Sequence, residues 1–209
     1  MADSRDAADL FWVEPRERAI LPLDALHVSR SLAKRLCSGD FHVTADRAFH
    51  DVVRACAERS ETWINPAIEG AVVALHAQRQ AHSIEVWDAA DELVGGLYGI
   101  RLGRAFFGES MFSRATDASK VALAWLVARL RVGGFTLLDC QFMTDHLASL
   151  GAVTVTRATY LRRLGEALAE GSLPPGDWSA LDASLAPETL PAEVGASGKR
   201  IAQLLGHTS

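Results

Sequence analysis

Cysteine is scarce in this chain of 209 residues, which has only Cys37, Cys56 and Cys140. The number is odd and no two stand in a C-x-x-C spacing, so neither a disulfide framework nor a zinc site is indicated. Long apolar runs are missing as well. The longest, residues 121–128, ends at Arg129, far short of the ~20 residues that span a bilayer. The first ten residues lack the basic-then-apolar order of a signal peptide. Positive charge is not in excess: 21 Lys and Arg against 26 Asp and Glu give a net charge of −5. That argues against a nucleic-acid binder that is basic all over, and leaves room for one basic face. There is no H-E-x-x-H, no G-x-S-x-G, and Gly95, Gly96 and Gly99 do not follow a phosphate-loop spacing. A reduced, cytoplasmic protein without a metal is the expectation.

What is present is ordinary globular material, 49% hydrophobic and 22% charged, enough for one large domain or a domain with an appendage. Charge is unevenly placed. Between Arg101 and Arg163 stand nine basic and four acidic residues, a local net of +5 within the acidic whole. Either chance clustering or an anionic partner on one face accounts for it.

The opening ten residues read as disordered, and the stretch around Pro15 and Pro22 as irregular. Residues 29–36 read as a short helix and 41–43 as extended. Asp46 is placed to cap a helix over 49–57, and Pro66 to open one over 67–77. Period-two alternation over 83–88, a Gly-rich run over 93–102 and residues 104–112 predict three consecutive strands. The clearest helix spans 119–132, capped by Asp117 or Ser119. Val121, Ala122, Trp125, Leu126 and Leu130 form its apolar stripe, and Gly133-Gly134 stops it. A strand over 135–142, a short helix over 145–150, a strand over 153–156 and a basic-faced helix over 160–169 follow. From Gly171 the composition is that of a linker or tail, ending in a short amphipathic piece at 201–205. The class is mixed α+β.

Four places carry candidate chemistry. On the strand Leu138-Asp139-Cys140-Gln141, alternation puts Asp139 and Gln141 on one face. They are either a base with a hydrogen-bonding helper or a structural pair. Around Phe106-Phe107-Gly108-Glu109-Ser110-Met111, a lone acid among apolar residues suits a pocket for an apolar side chain with a charged head. The bland reading is an edge strand with Glu109 bridged to Arg114 or Arg101. Trp12 and Trp63 either line a pocket or belong to the core. His82 and Glu85 fall on opposite faces of their strand and do not form one site.

In order along the chain, Leu26-His27-Val28-Ser29-Arg30-Ser31, Thr62-Trp63-Ile64, Ala81-His82-Ser83-Ile84-Glu85-Val86-Trp87, Leu93-Val94-Gly95-Gly96-Leu97-Tyr98-Gly99, Phe107-Gly108-Glu109-Ser110-Met111-Phe112-Ser113-Arg114, Ala118-Ser119-Lys120, Leu138-Asp139-Cys140-Gln141 and His146-Leu147-Ala148-Ser149-Leu150-Gly151-Ala152 together resemble the bacterial leucyl/phenylalanyl-tRNA–protein transferase family. The match covers about residues 11–165. The resemblance implies an enzyme that moves Leu, Phe or Met from aminoacyl-tRNA to the α-amine of proteins beginning with Arg or Lys, marking them for N-end rule degradation. It implies a GNAT-like (acetyltransferase-like) catalytic domain over 41–170, a shortened N-terminal subdomain over 1–40 and a tail over 171–209. It implies no cofactor and no metal.

The resemblance assigns catalysis to Asp139 and Gln141, with Asp139 holding the incoming ammonium. Trp12, Trp63, Phe106, Glu109, Ser110, Met111, Leu126 and Leu130 are then the substrate-binding residues. Arg30, Lys34, Arg35, Arg114 and Lys120 are the expected contacts to tRNA phosphate. The chain departs from the family pattern in three ways: the family's Gly-Ile-Phe-Pro stretch is not found before Trp12, Val72 stands where Tyr is common, and Leu126 and Leu130 replace frequent aromatics. Two alternatives stand beside this reading, a GNAT-type acyl-coenzyme A N-acyltransferase and a non-catalytic tRNA- or degron-binding module. Against the first, the loop 113–118 lacks the glycines of a pyrophosphate loop.

Overall fold

The structure, a computed structural model, describes residues 13–58, 62–169, 174–185 and 196–206. The opening residues read as disordered, Trp12 among the site residues, and part of the tail lie outside them. The strands are β1 (Glu17–Ile20), β2 (His42–Ala45), β3 (Ala81–Trp87), β4 (Leu93–Leu102), β5 (Ala105–Ser113), β6 (Leu137–Gln141) and β7 (Val153–Thr156). They form one seven-stranded sheet in the order β2-β3-β4-β5-β6-β1-β7. Every pairing is antiparallel except β5 with β6. The helices are α1 (Arg30–Cys37), α2 (Phe49–Ala57), α3 (Pro66–Ala77), α4 (Ala118–Val132), α5 (Asp145–Ser149), α6 (Arg157–Leu168), α7 (Ala180–Leu185) and α8 (Ala196–Leu204). The chain is mixed α+β, a sheet flanked by helices. Among the described residues no helix is long and apolar enough to cross a membrane.

Helix α4 lies on one face of the sheet and is backed by α1, α7 and α8. Its residues 121–130 are all buried, which no single apolar stripe requires; the outer side is covered by the C-terminal segment. There Trp178 is 7% exposed and stacks on Phe106 at 5.4 Å and on His82 at 4.3 Å. Arg129, 2% exposed, donates to the Trp178 carbonyl at 2.6 Å and forks onto Asp182 at 2.5 and 2.7 Å. A desolvated guanidinium needs such partners. The linker reading of the tail is therefore corrected for residues 174–185 and 196–206, whose helices bury Leu181, Ile201 and Ala202. On the opposite face, α2 and α3 cover β3, β4 and β5, and α6 covers β1, β5, β6 and β7.

Helix starts follow local chemistry. Ser29 accepts from the Leu32 amide and Asn65 from the Ile68 amide, with Pro66 at the first helical position. Asp46 does not cap α2. It turns left-handed (φ 58°) and binds His82 at 2.7 Å and the Ser83 amide at 2.9 Å. Asp117 occupies the cap position of α4 but makes no cap bond, pairing with Lys120 at 2.8 Å instead. Strand β1 arises in the stretch expected to be irregular. It inserts between β6 and β7, so residues 17–40 share the sheet and the main core with the rest of the chain, through Leu21, Val28, Leu32 and Leu36.

Candidate active site

The parallel pair β5–β6 is in register only from Ala105–Leu137 to Phe107–Asp139. Beyond that point the strands part, and a cavity of about 490 Å³ opens where they separate. Leu97 of β4, Met111 of β5, Leu123 and Leu126 of α4, Leu138 of β6 and Leu147 of α5 give it an apolar lining. Glu109, Ser110, Gln141, Thr144 and His146 supply polar groups, and Trp63 and Phe142 complete the wall. The size suits an amino-acid-sized ligand.

Two backbone irregularities aim the polar side chains. In the β4–β5 pairing, Tyr98 opposes Ser110 and Gly99 opposes Gly108. Glu109 is thus the extra residue of a bulge, which redirects it. Gly99 makes the close approach possible: a Cβ there would stand 2.3 Å from the Phe107 carbonyl oxygen and 2.4 Å from the Phe106 ring. The second irregularity is Gln141, left-handed at φ 65°. Its amide N–H donates to Asp139 Oδ1 at 2.7 Å, which holds the turn. Its side-chain Nε2 donates to the Gly108 carbonyl at 3.1 Å and to Glu109 Oε2 at 2.9 Å. Both amide hydrogens are then committed, and Oε1 is left as the free acceptor.

Asp139 itself is 0% exposed and does not line the cavity. Arg18 Nε donates to both its oxygens at 3.0 Å, and the Tyr160 hydroxyl donates to Oδ2 at 2.6 Å. Arg18 also lies over the Tyr160 ring, 5.4 Å from its centre. This corrects the sequence expectation in two respects. The left-handed turn breaks the alternation, so Gln141 joins Leu138 and Cys140 at the cavity while Asp139 sits behind. A carboxylate already engaged by three donor groups has no place for an incoming ammonium.

Burial pushes the Glu109 carboxyl above its usual range; the bond from Gln141 opposes this, the Asp139 charge reinforces it and Arg18 opposes it. Burial and then the charge of Asp139 push the Cys140 thiol up to about 12, so it is not a thiolate nucleophile at neutral pH. Burial, helped by Lys120, lowers the His146 imidazole and keeps it neutral. Tyr160 is raised by burial and then by its bond to Asp139, so it stays a donor. Tyr98 OH and His146 Nε2 are buried without a hydrogen-bond partner among the described residues, and both residues border the cavity.

Of the predicted substrate residues, Trp63, Glu109, Ser110, Met111 and Leu126 meet at the cavity, as does Gln141. Phe106 and Leu130 do not: both are 0% exposed in the core, Phe106 stacked on Trp178. The Glu109 bridge to Arg114 or Arg101 does not form; Arg114 pairs with Glu58 at 2.6 Å. Among the predicted tRNA contacts, Arg30 and Lys34 are exposed on α1, whereas Arg35 is paired with Asp40 at 2.7 Å and Lys120 with Asp117. His82 and Glu85 do not touch: His82 bonds Asp46 at 2.7 Å, and Glu85 bonds Thr44 at 2.5 Å and Ser83. Among the described residues no group of three or more His, Cys, Asp or Glu is placed to hold a metal.

The sequence reading missed Arg18 and Tyr160. Arg18 stands in a stretch with no local signal. Tyr160 is one of only two tyrosines in the chain; Tyr98 lines the cavity, and Tyr160 binds Asp139 behind it.

A family model described as leucyl/phenylalanyl-tRNA protein transferase matches residues 20–165. A leucyl/phenylalanyl-tRNA–protein transferase of Rhizorhabdus wittichii is 56% identical over 232 residues, covering 100% of this chain and 92% of that protein. One from Cereibacter sphaeroides is 61% identical over 178 residues, covering 84% of this chain and 83% of its own. One from Zymomonas mobilis is 57% identical over 188 residues, with coverages of 87% and 70%. Among solved structures, L-PGS from Bacillus licheniformis gives a TM-score of 0.42 at 14% identity, covering 64% of this chain and 50% of that chain, a likeness too partial to carry an argument.

Proposed function

The chain belongs to the leucyl/phenylalanyl-tRNA protein transferase family, an aminoacyltransferase family, and from that premise we propose how its cavity performs the transfer. The observation that carries the reading is the Glu109–Gln141 pair at the rim of an apolar cavity. The donor's Leu, Phe or Met side chain enters between Leu97, Met111, Leu126 and Leu138. Side chains branched at Cβ, Val and Ile, are excluded by shape. The aminoacyl ester is already activated, so aminolysis needs an unprotonated amine held against the carbonyl carbon. A free α-amine titrates at roughly 7.7–8.0 and is largely protonated at neutral pH.

Glu109, a half-buried carboxylate with a raised pKa, binds that ammonium and takes its proton. Gln141 Oε1 accepts one of the two remaining N–H bonds and orients the lone pair towards the ester. The nitrogen attacks and the bond to the ribose oxygen breaks; of the two protons the nitrogen sheds, the first stays on Glu109 until solvent removes it and the second passes to the ribose oxygen as the peptide bond forms. Asp139 is a positioning residue: it holds the Gln141 turn, and Arg18 balances its charge. Tyr98 OH and His146 Nε2 are the buried groups available to polar atoms of the substrate.

Family membership supports acceptors that begin with Arg or Lys, N-end rule degradation as the outcome and the cytoplasm as the place. An antiparallel β3–β4–β5 followed by α4 and a parallel β6 that splays from β5 supports a GNAT-like architecture. The acyl-coenzyme A reading loses ground because the 113–118 loop has no glycine and spends the Ala118 amide on Ala115 and the Ser119 amide on Ser113.

The test is transfer of labelled Leu from Leu-tRNA to peptides beginning with Arg, Lys or Ala, with Gln141→Ala alongside. Label on the Arg and Lys peptides only, lost in the variant, is the expected result. Equal labelling of the Ala peptide would sink the acceptor claim, and no transfer at all would sink the mechanism.

A further inference from the structure

The basic stretch from Arg101 to Arg163 does not spend its charge at the cavity. Of its nine basic side chains, five are ion-paired: Arg114, Lys120, Arg129, Arg157 and Arg162. Arg104 and Arg163 have no acid partner among the described residues, and they converge. With Arg162, Thr136 and Glu166 they line a hollow of about 360 Å³. Three guanidinium groups therefore face one carboxylate.

The hollow is held in place by the fold. The Arg104 amide donates to the Ala167 carbonyl at 3.0 Å, its carbonyl accepts from the Thr136 amide at 2.9 Å, and its guanidinium donates to the Glu166 carbonyl at 3.0 Å. Arg104 and Thr136 directly precede Ala105 and Leu137, the first paired residues of β5 and β6. The polar pair of the cavity, Glu109 and Gln141, stands five residues further along the same two strands. At about 3.3 Å per residue the two sites lie roughly 15 Å apart. Helix α6 joins them: Tyr160 touches Asp139, and Arg163 comes about one turn later.

Guanidinium forks and a hydroxyl, with no aromatic ring among them, read phosphate oxygens and not bases. A nucleic acid pinned at one end by its ester in the cavity presents its nearby phosphates at high effective concentration. We propose that this hollow binds two neighbouring backbone phosphates of the donor tRNA, one on Arg104 and one on Arg163, a second anchor remote from the reacting end. The inference rests on the transfer reading above and adds a contact to it.

Binding of labelled uncharged tRNA, measured over a range of salt concentrations, tests it directly. Arg104→Gln/Arg163→Gln should bind more weakly, with the slope of log K against log salt reduced by about 2. Glu166→Gln, which removes the one carboxylate, should bind more tightly. In transfer, the double variant should raise KM for leucyl-tRNA with kcat unchanged, and should use leucyl-adenosine, which has no stem, as the wild type does. An unchanged salt slope, or an equal loss with both donors, overturns the proposal. Should the double variant fail to fold, Arg163→Gln alone should reduce the slope by about 1, since the Arg163 side chain makes no hydrogen bond among the described residues. If the wild type transfers from neither donor, the transfer reading has failed; if it transfers while the slopes are unmoved, only the hollow has.

Discussion

At the scale of single residues the site turns on one carboxylate held at a disadvantage. Burial and the neighbouring Asp139 charge raise the Glu109 pKa, and ionised Glu109 is the form that can take a proton. The rate should therefore rise with pH through a limb lying above the ordinary carboxylate value of about 4.3, and Glu109→Gln should abolish both activity and limb. Stability runs the other way. A carboxyl whose folded pKa is raised contributes stability below its unfolded pKa and loses it as pH rises through the folded value. Glu109→Gln should thus melt higher than the wild type near pH 7–8 and equally below about pH 4. Melting curves across pH check this, and a wild type that is the more stable at neutral pH would contradict it. Tyr160→Phe removes a 2.6 Å bond to Asp139. Bonds to charged groups contribute about 1.5–3 kcal/mol, so stability should fall by that order. If Asp139 acts by positioning Gln141, kcat should drop while KM for leucyl-tRNA stays; a change confined to KM would place Tyr160 at the tRNA instead.

At the scale of elements the cavity depends on the β4–β5 bulge and the β5–β6 separation. Gly99 permits the bulge, since a methyl there would strike the Phe107 carbonyl and the Phe106 ring. Gly99→Ala should destabilise by several kcal/mol, on the scale of core overpacking (about 1–3 kcal/mol, occasionally more), and should depress activity with it. Gly70, inside α3 with open space where a Cβ would stand, is the counterpart. Gly70→Ala should stabilise by about 0.4–1 kcal/mol, through helix propensity and a less free unfolded chain. Urea denaturation of the two variants tests both; a harmless Gly99→Ala would mean that the bulge does not require glycine.

At the scale of the whole molecule the C-terminal segment completes the core. It covers the outer side of α4, and through Trp178 it touches Phe106 and His82. Trp178→Ala should cost about 3–5 kcal/mol, which for a domain of this size lowers Tm by about 6–20 °C. It would also remove the ring under Arg129, whose guanidinium lies 5.0 Å from its centre. Thermal melting is the measurement, and a shift of a degree or two would return the segment to the standing of a loose tail.

The family and most of the helices and strands were legible in the sequence, and of the site residues expected there, Trp63, Glu109, Ser110, Met111, Leu126 and Gln141 line one cavity. These are legible because caps, breakers and apolar periods act over a few residues, and because the motifs keep their order. The tertiary structure alone decided which side chains face one another. Alternation could not foresee the left-handed Gln141 (φ 65°), which sends Gln141 to the cavity and leaves Asp139 behind it. Nor could any local pattern join Asp139 to Arg18, 121 residues away, or place β1 between β6 and β7. Such contacts depend on strand register and on burial shared between distant segments, and a buried charge takes whatever partner the folded chain brings to it.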